Sequence, residues 1–102
     1  MEGDESDALL VFTNLPHREA ALKLAHGLVE RRLAACVNVL AGCTSVYRWK
    51  GDVEQADEIP VLVKTRSARY DEVEAAIREL HPYELPEIVA VPVVRGSPDY
   101  LD

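Results

Sequence analysis

The sequence predicts an α+β domain whose elements follow the order β-α-β-β-α-β, and three observations carry that expectation. Two stretches, one ending at Arg32 and one at Leu80, repeat apolar residues at helical spacing. Short apolar runs of strand length precede the first and follow the second. Between them lies a long stretch rich in Val, Thr, Tyr and Trp, with a tight-turn signal at Lys50-Gly51-Asp52. At 102 residues the chain has the size of one domain, so residues 1–102 are expected to share a single core.

Taken in order, residues 1–7, MEGDESD, read as a flexible acidic lead-in without the basic and apolar regions of a signal peptide. Ala8 to Thr13, ALLVFT, is a continuous apolar run and is expected to be a strand buried on both faces. Asn14-Leu15-Pro16 then gives a cap-and-proline start to a first helix through Arg32, with Ala21, Leu24, Ala25, Leu28 and Val29 on its apolar stripe.

From Ala34 to Lys50 the pattern turns to strand, with strict alternation from Ser45 to Lys50 and a bulge or bend expected at Ala41-Gly42. The hairpin at Gly51 returns the chain through Val53 to Thr65. At ~3.3 Å per residue such a ribbon reaches roughly 45 Å, and its distal half, Val46 to Ala56, projects beyond the domain. A projecting ribbon carrying Tyr47 and Trp49 is an exposed aromatic edge, which predicts an oligomer with these two residues as interface anchors. Pro60 conflicts locally with the returning strand, so its nitrogen should face an edge or a bulge.

Ser67 is expected to cap a second helix whose stripe is Tyr70, Val73, Ile77 and Leu80. After Pro82 and Pro86 a buried strand is expected from Glu87 to Val91, and Gly96-Ser97-Pro98 opens a tail. Both helices would then cover one face of an antiparallel sheet, the ferredoxin-like split β-α-β arrangement with a long ribbon between its second and third strands.

Composition narrows function. The net charge of −7 and the scattered basic residues argue against nucleic acid, and no apolar run approaches membrane-spanning length. Cys36 and Cys43 on one extended strand would lie ~23 Å apart, so they read as separate thiols in a reducing compartment, the cytoplasm by default. Cys36 is expected to be a small buried hydrophobe and Cys43 the more exposed. Standard phosphate-loop, dinucleotide, hydrolase, zincin and dithiol motifs are missing, so no enzymatic activity is expected.

The densest group of potential ligands is His81, Tyr83, Glu84 and Glu87. Imidazole and carboxylates suit copper, zinc or similar ions, which makes His81, Glu84 and Glu87 candidate metal ligands. The alternative is that His81 caps the C-terminus of the second helix and that the two glutamates are turn and surface residues. His17 and His26 read as solvated.

The segments LVERRLAACVNVLAGCTSVYRWKGDVEQADE, LVKTR and ELHPYELPEIVAVPV followed by YLD resemble the CutA divalent-cation tolerance proteins, in one register from the first strand to Asp102. The resemblance implies a cytoplasmic, non-catalytic homotrimer, similar in build to the PII signalling proteins, whose ribbons pair between subunits. It implies a role in tolerance of copper and other divalent metals, bound weakly without any required cofactor. In the alternative it implies, a PII-like regulatory or structural trimer binds a protein or small ligand between subunits and metal effects are indirect. The ligands proposed in the family match His81 and Glu87, but the family's cysteine position is Phe12 here, which removes the soft thiolate that favours Cu(I). Pro60 and an end at YLD, where relatives continue through a short C-terminal helix, are further departures.

Overall fold

The computed structural model describes residues 7–101. The acidic segment expected to be flexible therefore lies, apart from Asp7, outside the described residues. The elements are β1 (Ala8–Leu15), α1 (Arg18–Glu30), β2 (Cys36–Val39), β3 (Cys43–Trp49), β4 (Asp52–Arg66), α2 (Tyr70–Leu80), β5 (Val89–Pro92) and α3 (Pro98–Leu101), with one 3-10 turn, Ser67–Arg69, before α2. Strands pair antiparallel in the order β2-β4-β1-β5, and β3 continues along β4 beyond β2. Counting β2 and β3 as halves of one bent strand, this is the expected ferredoxin-like order.

The bend has a countable cause. Val39 pairs with Val61 and Cys43 with Glu58, so three residues, Leu40 to Gly42, stand opposite two, Ile59 and Pro60. One extra residue makes a bulge. Pro60 sits in the middle of the sheet opposite Asn14, yet its carbonyl accepts from Leu40 N–H at 3.0 Å, so its nitrogen turns toward the bulge where no ladder bond is lost. The conflict read from the sequence is resolved by those two features coinciding. At the tip, Lys50 (φ 51°) and Gly51 (φ 90°) supply the two left-handed residues of a two-residue hairpin.

The core lies between the sheet and the two long helices. Val11 and Leu15 of β1, Val61 and Val63 of β4, Leu24 and Leu28 of α1, and Val73 and Ile77 of α2 are all buried. Each such side chain contributes about 1.5–3 kcal/mol by leaving water. Helices cover only that face, which corrects the expectation of a first strand buried on both faces. Phe12, alternating with Val11 and Thr13, remains 37% exposed, and β5 is exposed along its length, with Val89 at 49% and Val91 at 43%, instead of buried. Phe12, Leu62 and Val89 are register partners across β4, β1 and β5, so the open face carries an apolar row.

Several boundaries differ from the sequence reading. Asn14 and Leu15 belong to β1, and His17 caps α1, its Nδ1 accepting from Ala20 N–H at 3.2 Å. His17 is thus a cap and not merely a solvated residue. At the other end Leu33 N–H bonds to Leu28 O and Arg32 N–H to Val29 O, with Arg32 at φ 61°. This is the Schellman stop. Val29, expected on the apolar stripe, is exposed. Ser67 makes no side-chain cap; its N–H bonds to Asp7 O, and the 3-10 turn leads into α2 instead. The expected C-terminal tail winds into α3, where Arg66 donates to Leu101 O and Lys64 Nζ stands 5.8 Å from the Tyr100 ring. Cys36 is only half-buried, since it faces the open side of the sheet beside Lys64, and Cys43 is exposed; both are free thiols.

Candidate functional site

The turn after α2 and the ribbon face each other across a cleft of about 730 Å³. On the ribbon, period-two alternation puts Tyr47 and Trp49 of β3 on the same face as Glu54 and Glu58 of β4, because Tyr47 pairs with Glu54 and Cys43 with Glu58. On the turn, Pro82, Tyr83, Glu84, Leu85 and Glu87 form the opposite wall, and Asn14 at the end of β1 is the floor. The candidate metal residues Glu84 and Glu87 and the candidate anchors Tyr47 and Trp49 are therefore parts of one site. His81 lies just beneath it.

His81 is 7% exposed and uses both ring nitrogens on backbone. Tyr83 N–H can only donate, so Nδ1 is the acceptor at 3.1 Å; Asn14 O can only accept, so Nε2 carries the proton, at 2.5 Å. The partners thus select the neutral Nε2–H tautomer. Burial pushes the His81 pKa below its usual value, outweighing the Asn14 bond and the nearby Glu58 carboxylate, which act the other way. The backbone N–H of His81 does close α2, on Ile77 O, but its ring does not cap the helix as expected. It bridges β1 to the turn. Metal coordination by either ring nitrogen requires one of these two bonds to break.

The same residues hold the rest of the cleft. The Tyr83 ring packs 4.7 Å from the His81 ring and its hydroxyl donates to Glu58 Oε2 at 3.0 Å. Burial, that bond and the Glu58 charge push the Tyr83 hydroxyl up to about 12. Asn14 Nδ2 donates to Glu87 Oε1 at 3.1 Å. A chain of contacts from Glu87 through Asn14, His81 and Tyr83 to Glu58 ties turn, strand and ribbon together. Four carboxylates, Glu54, Glu58, Glu84 and Glu87, line the cleft without a basic residue among the lining side chains. Among the described residues, the ion pairs use other acids, Glu72, Glu74 and Glu79.

Comparison with known proteins decides the relationship. A family model described as CutA1 divalent ion tolerance protein matches residues 9–102. The chain belongs to the CutA1 divalent ion tolerance family. The divalent-cation tolerance protein CutA of Thermus thermophilus is 45% identical over 93 residues, 91% of this chain and 90% of that protein. Mouse CutA is 41% identical over 90 residues, 88% of this chain but 51% of the mouse protein. The solved CutA structure from Xylella fastidiosa superposes with a TM-score of 0.91 at 42% identity, covering 93% of this chain and 91% of that one.

Among the described residues no three His, Cys, Asp or Glu side chains gather closely enough to hold a metal ion within one chain. The CutA fold thus brings Glu84 and Glu87 to the cleft but keeps His81 occupied below it. Phe12 lies on the open sheet face, paired with Leu62 and Val89, and offers no donor atom. Asn14, Glu54 and Glu58 escaped the sequence reading. Counting cross-strand partners back from Gly51 would have found the last two, since both fall on the Tyr47 face.

Proposed function

We propose that this CutA protein acts in divalent-cation tolerance as a non-catalytic homotrimer that binds copper or other divalent ions weakly at the cleft. The carrying observation is that four carboxylates outside the ion pairs of the described residues line the walls of one cleft, Glu84 and Glu87 on the turn and Glu54 and Glu58 on the ribbon. Carboxylate oxygens suit hard divalent ions, and an imidazole would add affinity for copper or zinc if His81 gave up its bond to Tyr83 or Asn14. Because the single chain gathers fewer than three ligands, we assign the remaining ones to water or a second subunit, which keeps binding weak. Trimer formation is supported by the open apolar sheet face and by Val46 and Val53, exposed by 66–67% on the ribbon face opposite Tyr47 and Trp49. Two free thiols fit a reducing compartment such as the cytoplasm.

Calorimetric titration of Cu(II) and Zn(II) into the parent, Glu84→Gln, Glu87→Gln and His81→Ala proteins tests the site. Loss of affinity in the glutamine variants is expected, and unchanged affinity in all three variants refutes it. The alternative, a PII-like regulatory trimer taking a small ligand between subunits, is favoured by one observation: Tyr47, Trp49 and Tyr83 give the cleft aromatic walls that a bare metal ion does not need.

A further inference from the structure

We infer that the cleft binds a linear alkyl polyamine, an organic polycation, through its aromatic walls and its four carboxylates. The inference rests on reading the cleft as the working site and names a second class of ligand for it. Two independent features of the wall carry it. The first is charge. Glu54, Glu58, Glu84 and Glu87 line the cleft, no Lys or Arg lines it, and the only hydrogen bonds that the described residues give these acids come from neutral donors, Tyr83 Oη and Asn14 Nδ2.

The second is the kind of apolar surface between those charges. Tyr47, Trp49 and Tyr83 are each 37–41% exposed, with Pro82 and Leu85 beside them. Rings of this kind attract an ammonium over their faces and pack against methylenes. The indole already takes an alkylammonium from its own chain: Lys50 Nζ stands 5.6 Å from the centre of the Trp49 ring.

Together these select among cations. A metal ion is served by oxygen atoms alone and leaves the rings unused. A quaternary ammonium suits rings but cannot donate hydrogen bonds to carboxylates. A chain of primary and secondary ammonium groups joined by methylenes uses both, and a cleft of about 730 Å³ is large enough for a ligand of that size.

The test uses the assembled protein at neutral pH and constant ionic strength, with its mass measured in the same samples. Spermidine, putrescine and tetramethylammonium chloride are titrated in turn, following Trp49, the chain's one tryptophan, by fluorescence and the heat by calorimetry. Spermidine is expected to bind most tightly and to change the Trp49 emission. The paired variant Glu54→Gln with Glu58→Gln is expected to weaken spermidine at least about tenfold. Lys50→Met, which removes the competing cation, is expected to bind it as well as or better than the parent. Equal binding of tetramethylammonium, or spermidine binding unchanged in the paired variant, overturns the inference. Cu(II) and Zn(II) titrations on the same variants separate it from the metal reading, because Glu84 and Glu87 carry that one and remain in place.

Discussion

Replacing His81 with alanine probes the joint on which the cleft is built. The side chain is 7% exposed and makes two hydrogen bonds, to Asn14 O at 2.5 Å and from Tyr83 N–H at 3.1 Å. Truncation strands a carbonyl and an N–H beneath the turn. A stranded buried group costs about 1–3 kcal/mol, and with the lost packing on the Tyr83 ring the expected destabilisation is about 3 kcal/mol. The assay is urea unfolding at one fixed protomer concentration, because an oligomer's stability depends on it.

The pH dependence gives a second readout. Burial holds the folded pKa of His81 below its unfolded value of about 6.5, so the unfolded chain binds the extra proton first. The stability His81 contributes is therefore fully present above about pH 6.5 and is lost as pH falls from there toward the folded pKa. In His81→Ala that part of the acid slope should vanish. A loss under 0.5 kcal/mol, or an acid slope identical to the parent's, would refute the bridging role assigned to the ring.

Other outcomes follow from single features. Thr13 is 1% exposed and, among the described residues, its Oγ1 is a buried side-chain atom without a partner, so Thr13→Val should raise unfolding stability by about 1 kcal/mol. Arg32 holds a left-handed conformation at φ 61° in the Schellman stop, and Arg32→Gly should likewise gain about 1 kcal/mol by thermal or urea unfolding. The Tyr83 hydroxyl is pushed up to about 12, above the unfolded value near 10. Its contribution is intact below pH 10 and is lost as pH rises from 10 through 12, and Tyr83→Phe should remove that alkaline loss.

Much of the architecture was legible because local pattern and tertiary structure agree. The stripe of α2 expresses a helical periodicity that burial reinforces, and the alternation from Ser45 to Lys50 and the turn signal at Gly51 coincide with a paired hairpin, although β3 is exposed on both faces. The misreadings share a physical source. Arg32 takes a conformation usually left to glycine just past the C-cap of α1, so periodicity carried the expected helix to Arg32, two residues beyond Glu30. ALLVFT looked buried on both faces because its open face is as apolar as its core face, and a sequence records apolarity without saying what covers it.

The site was legible in parts. His81, Glu84 and Glu87 were found as a cluster, but three residues close in sequence do not thereby share a centre. The bonds that draw the His81 ring under the turn come from Asn14, 67 positions away, and from the Tyr83 backbone, neither of which spacing reveals. Glu54 and Glu58 reach the cleft only because the ribbon folds over the turn.

The claim on which the rest depends is that copies of the chain finish its open sheet and its ribbon. Sedimentation velocity at micromolar protein tests it most directly. The account predicts a single species of about three times the 11.3 kDa chain mass. A species of 11.3 kDa at that concentration would contradict it.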